Sequence, residues 1–70
     1  MEIKKFKVVS DLVEFMPMSS VVELFNFDSK EVIPFFKGTN YSVGKIYLDM
    51  HIVKFRVCFE NDRIVYKIYV

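Results

Sequence analysis

The sequence predicts an α+β domain: an antiparallel sheet of three to four strands that includes a C-terminal β-hairpin, with short helices packed on one face. Three observations carry that expectation. Residues 54–70 are two runs of β-branched and aromatic residues around the polar pair Asn61-Asp62, and both of those residues tolerate the positive φ that a tight two-residue turn demands. Residues 2–9 form another run of strand type at the opposite end of the chain. Between them lie helix-start signals, Ser10-Asp11 and Asp28-Ser29-Lys30-Glu31.

The hairpin is the most explicit element. With Asn61 and Asp62 as the loop, Glu60 faces Arg63. Phe59 then lies opposite Ile64, Val57 opposite Tyr66, Phe55 opposite Ile68 and Val53 opposite Val70. Side chains alternate with period two, so these share one face. The other face pairs Cys58 with Val65, Arg56 with Lys67 and Lys54 with Tyr69. A slip of one residue would drive the charged set into the core, so the pattern enforces its own register. Phe55, Val57, Phe59, Ile64, Tyr66, Ile68 and Val70 are therefore expected in the core, joined by Leu12, Phe15, Leu24 and Phe25.

The remaining elements follow in chain order. Glu2–Val9 alternates Phe6 and Val8 with Lys5 and Lys7 and reads as a strand, its lysines discouraging edge-to-edge association. In residues 10–16, Ser10 is placed to cap a short helix, Leu12, Phe15 and Met16 share a face, and Pro17 ends it. Residues 19–27 carry mixed signals. Ser20 with Glu23 fits a capping box, whereas Val21-Val22 and the aromatic end favour a strand; the expectation here is helix. Asp28–Glu31 suggests another helix start, shortened or kinked by Pro34 and closed at Gly38. Thr39–Gly44 is loop. From Lys45 onward Ile46, Leu48, Met50 and Ile52 alternate with polar residues as in a strand, and the apolar phase switches at Ile52-Val53. With no Gly or Pro to mark a turn near Asp49–His51, one bent or bulged strand is expected over 45–59.

Seventy residues make one domain, 1–70. A chain of this length buries ~60% of the surface its unfolded form exposes, so the core is thin. Eight Phe and four Tyr exceed what so small a monomer readily hides, which points to a partner or to self-association. A single cysteine, Cys58, excludes an internal disulfide and any multi-cysteine zinc site, and suits a reducing, cytoplasmic setting. The basic start is not followed by an apolar segment of signal-peptide type, and no run is long enough to span a membrane. The middle of the chain is acidic and both ends are basic, although the net charge is only +1.

Catalytic parts are not in view. His51 is the sole histidine and has no neighbouring Cys; it reads as a polar residue at a strand bend rather than a ligand or base. Cys58 reads as a small hydrophobe. Gly38 and Gly44 are the only glycines, too few for a phosphate-binding loop. The carboxylates Asp11, Glu14, Glu23, Asp28 and Glu31 are explained as helix starts or solvated positions. No enzyme activity, metal or cofactor is expected.

One constellation stands out. Lys54, Arg56, Lys67 and Tyr69, with Tyr47 from the preceding stretch, interleave cations with rings on the exposed side of the sheet. Such a surface can stack bases and neutralise phosphates. Arg56 opposite Lys67 is a like-charge pair that calls for an anion, whether a phosphate, an acidic residue of this chain or one from a partner. The pI of about 7.8 is low for a dedicated nucleic-acid binder. The leading functional expectation is thus a small protein-binding module, acting as inhibitor, adaptor or regulatory subunit by occupying a partner's surface. Nucleic-acid binding on the basic and aromatic face is the alternative.

Overall fold

The structure, a computed structural model, describes residues 6–28 and 33–70. In chain order it contains α1 (Val9–Phe15), β1 (Val21–Phe25), β2 (Phe36–Thr39), a 3-10 turn (Asn40–Ser42), α2 (Lys45–Leu48), β3 (Lys54–Glu60) and β4 (Arg63–Tyr69). The four strands form one sheet in the order β2-β1-β4-β3. This is the expected α+β architecture with one change: β1 and β4 run parallel, so the sheet is mixed rather than wholly antiparallel.

The hairpin has the register its sequence dictates, from Glu60↔Arg63 through Phe55↔Ile68 to Lys54↔Tyr69. Asn61 and Asp62 take φ of 50° and 61°. Two successive left-handed residues make a type I′ turn, whose twist matches that of the strands it joins.

Residues 19–27 are not a helix; Val21–Phe25 is an inner strand. Its expected capping box never forms, because both members are engaged elsewhere. The Ser20 hydroxyl donates to the Pro17 carbonyl at 2.7 Å, and the Glu23 carboxylate meets Lys37 at 3.6 Å. The run Val-Val-Glu-Leu-Phe gains a ladder on each side, antiparallel to β2 and parallel to β4. That suits a strand buried on both faces, where a near-continuous apolar run replaces alternation. Gly38 likewise sits inside β2 rather than closing a helix. The expected helix start at Asp28–Glu31 falls largely on residues 29–32, which lie outside the described residues.

The first helix is present but is capped differently. Asp11 supplies the carboxylate, its Oδ2 accepting from the backbone N–H groups of Lys7 and Val8 at 3.1 and 3.2 Å, in place of Ser10. An acidic side chain there also complements the positive end of the helix. Met16 turns extended ahead of Pro17, as the residue before a proline must.

The strand expected over Glu2–Val9 is reduced, within the described residues, to one antiparallel bridge, Val8↔His51. Val9 already opens α1, and residues 1–5 lie outside the described residues. Lys45–Leu48 is a single helical turn rather than strand, so 45–59 is not one bent strand. Topology explains the change. The link from β2 to β3 must cross from one edge of the sheet to the other, about 14 Å at three interstrand spacings. It crosses over the face that α1 covers, and Val43, Tyr47, Leu48, Met50 and Ile52 help to close the core instead of extending the sheet.

That core lies between α1 and the two inner strands: Val9, Leu12 and Met16 pack on Val22, Leu24, Tyr66 and Ile68. Ile64 and Val70 flank it, half-buried. Phe25 is buried as expected, but its register partner is Tyr69, on the other side of the sheet. Phe15, Phe55, Val57 and Phe59 do not join the core. Exposure along β3 rises from 37% at Phe55 through 53% at Val57 to 71% at Phe59. The reason is reach. A seven-residue helix is about 10 Å long, whereas a seven-residue strand spans about 23 Å. Centred on the inner strands, α1 leaves the edge strand uncovered.

Candidate functional site

Two surfaces compete for a role. The first is the sheet face opposite α1, where the register gathers four of the five residues singled out by sequence. Lys54 and Tyr69 are cross-strand partners in the hairpin, as are Arg56 and Lys67. Tyr47 is not with them. It belongs to α2 and packs against Phe35 and Phe36, with ring centroids 5.8 and 5.3 Å away, beside the core. Its separation follows from the crossover, which places α2 on the helix-bearing side of the sheet.

The chain itself supplies much of what this face could offer a ligand. Lys67 meets Glu60 at 3.2 Å, and the hydrogen bond it donates to that carboxylate holds the Lys67 pKa above the ordinary lysine value. Glu23, only 6% exposed, stands beside Lys67 in the parallel register and is bridged by Lys37 from the other side. These carboxylates are the anions that the Arg56–Lys67 juxtaposition calls for. Tyr69 stacks on Phe25 at 5.0 Å with planes 20° apart, and the Lys54 ammonium lies 4.9 Å from its ring centroid and 5.7 Å from that of Phe27. These are cation–π distances. A base seeking the Tyr69 ring would meet an occupied one. Arg56 is exposed and makes no ion pair among the described residues.

The second surface is the outer edge of β3. Among the described residues no strand pairs with it there. A two-residue loop makes Glu60↔Arg63 a hydrogen-bonded pair, and alternation then turns the backbone groups of Cys58, Arg56 and Lys54 inward to β4. The N–H and C=O groups of Phe55, Val57 and Phe59 therefore point outward. Their side chains lie on the helix-bearing side and are partly bare. At one end Phe55 touches a ring cluster: Phe6 lies 5.8 Å from Phe55 and 5.3 Å from Phe15, edge-on to both. At the other, Phe59 and Ile64 line a shallow cleft with Pro17 and Met18. Exposed backbone and exposed apolar side chains thus coincide along one strand, the arrangement that folded proteins ordinarily blunt.

Sequence reasoning missed this edge because alternation specifies a face and not its cover. A signal was nonetheless present. One short helix ending at Pro17 cannot roof a long hairpin as well as the strands beside it.

His51 is exposed at its bridge with Val8, and Cys58 is half-buried opposite Val65. Among the described residues no three His, Cys, Asp or Glu side chains lie together as a metal site would need, and no helix is long and apolar enough to cross a membrane. No family model, no curated protein and no solved structure matches this chain, so its own geometry carries the functional argument.

Proposed function

We propose that this chain is a small non-enzymatic protein-binding module that works by occupying a partner protein's surface, in the manner of an inhibitor, adaptor or regulatory subunit. The observation that carries the reading is the outer edge of β3, where outward-facing backbone groups coincide with the exposed side chains of Phe55, Val57 and Phe59. A strand with those properties binds by strand addition: main-chain hydrogen bonds supply affinity, and alternate side chains supply selectivity. Exposed apolar residues that run along one strand, rather than lying scattered, mark an interaction site. The single thiol at Cys58 suits a cytoplasmic setting.

The alternative, nucleic acid bound on the Lys54, Arg56, Lys67 and Tyr69 face, has Arg56 in its favour. Against it stand the engagement of Lys67 by Glu60 and the stacking of Tyr69 on Phe25. Two parallel assays separate the readings. Immobilised protein is offered a lysate beside the Phe59→Asp variant, and labelled single-stranded and duplex oligonucleotides are titrated at two salt concentrations. The protein-binding reading expects either a stoichiometric protein retained by the wild type or self-association of the chain, in both cases lost with Phe59→Asp, and no oligonucleotide affinity at low salt. Oligonucleotide affinity that drops steeply with salt and with Arg56→Glu would overturn it.

A further inference from the structure

Resting on the protein-binding reading, we infer that the partner taken by the β3 edge is a second copy of this chain, paired antiparallel about a two-fold axis through Val57. The inference comes from the self-complementarity of β3, Lys-Phe-Arg-Val-Cys-Phe-Glu. A two-fold axis at an edge brings the same strand against itself in reverse. With the axis at Val57, Val57 meets Val57 of the second copy, Phe55 meets Phe59, Arg56 meets Cys58, and Lys54 meets Glu60.

Each layer of that register agrees with the chemistry. Phe55, Val57 and Phe59 are the residues whose N–H and C=O groups point outward, and here they pair only with one another, giving about six interchain hydrogen bonds. On the helix-bearing side, two aromatic pairs flank a valine pair and cover the apolar row that α1 leaves bare. On the opposite side, both ends of the interface place an ammonium across from a carboxylate. Glu60 already bonds Lys67 through Oε2 at 3.2 Å, which leaves its second carboxylate oxygen for Lys54 of the other copy.

Neighbouring registers lack this agreement. Moving the axis to Arg56 sets two guanidinium groups face to face and leaves Phe59 opposite Val53, outside the strand. Moving it to Cys58 sets Lys54 and Phe55 opposite Asp62 and Asn61, in the turn of the other copy and not in its strand. Both shorten the ladder. The cations on β3 that would repel an indiscriminate edge-to-edge contact are thus matched in one register, which is how an edge can be guarded and still selective.

The test is sedimentation velocity on the full chain from low micromolar to about millimolar concentration, with circular dichroism to verify folding. The inference expects a monomer–dimer equilibrium. Lys54→Glu and Glu60→Lys should each weaken the dimer by about tenfold, since each turns two attractive pairs into repulsive ones. Mixing the two variants restores attraction at both ends and should return dimer at the wild-type affinity or better. Val57→Pro, which deletes an outward N–H at the axis, should leave a folded monomer. Val57→Cys in a Cys58→Ser background should cross-link under mild oxidation, because residues paired across the axis fall within disulfide reach.

A monomer throughout the range would overturn the inference. So would a dimer indifferent to the charge exchange, and so would protection of the Val57 and Phe59 amides from exchange in a monomer, which would place another segment of the same chain on the edge. A monomer that still loses a stoichiometric partner on Phe59→Asp would leave the protein-binding reading standing without this inference. A monomer with no such partner would remove both.

Discussion

Ile68→Ala and Phe59→Ala probe two residues on the same face of the same hairpin, and the structure separates their costs. Ile68 is 0% exposed, on an inner strand between β1 and β3 and within the core under α1. Truncation to alanine removes three carbons, worth about 2.4 kcal/mol at ~0.8 kcal/mol each, and leaves a cavity that raises the loss to roughly 3–4 kcal/mol. Phe59 is 71% exposed, so only about three-tenths of a side chain worth ~2–3 kcal/mol is buried. Its truncation should cost below about 1 kcal/mol.

Against the ~3.5–10 kcal/mol expected of a domain this size, the first change removes a large share of the stability and the second little. The assay is urea unfolding followed by far-ultraviolet circular dichroism at low micromolar protein, where self-association adds little to stability. With a slope near ~1 kcal/mol/M, the midpoint should fall by about 3 M for Ile68→Ala and by less than about 1 M for Phe59→Ala. Should Ile68→Ala be unfolded in water, Ile68→Val, at about 1 kcal/mol, supplies the measurable step. Equal losses for Ile68→Ala and Phe59→Ala would refute the reasoning, because they would mean that the outer strand is roofed as well as the inner one.

Two further outcomes test local features. A Cβ at Gly38 would stand 2.9 Å from Ser42 Oγ and 3.1 Å from Phe36 Cζ. The Ser42 hydroxyl is tied in place, accepting from Thr39 Oγ1 at 3.0 Å and donating to the Thr39 carbonyl at 2.9 Å. Gly38→Ala should therefore cost about 1–2 kcal/mol in the same urea assay, with part regained in the Gly38→Ala, Ser42→Ala double variant. The Glu60 hydrogen bond raises the Lys67 pKa above 10.5. A raised lysine contributes stability in full below its unfolded value and loses it as pH climbs through the folded value. The stability gap between wild type and Glu60→Gln should hold at neutral pH and close on the alkaline side of 10.5; a gap that instead closes on acidification above the carboxylate range would contradict that assignment.

The two ends of the described fold differ in how far sequence could specify them. The hairpin is local: a turn that accepts positive φ and two strands with matched alternation determine pairing, register and faces without reference to the rest of the chain. The short first helix is local too, since its stop is a proline. Val21–Phe25 reads as helix at that level, where a capping-box pattern competes with a β-branched pair within a few residues. It became a strand when two neighbours offered it ladders on both sides. Ile46, Leu48, Met50 and Ile52 show a strand's alternation, yet three of them pack against the core from a crossover.

The candidate site divides along the same line. That Lys54, Arg56, Lys67 and Tyr69 share a face follows from alternation alone. That Glu60 bonds Lys67, that Phe25 stacks on Tyr69, and that Tyr47 lies elsewhere are matters of which strands become neighbours. So is the exposure of Phe55, Val57 and Phe59. Period-two patterning states which side chains point together, and only the order β2-β1-β4-β3 states that, among the described residues, their strand is last in the sheet, beyond the reach of the helix.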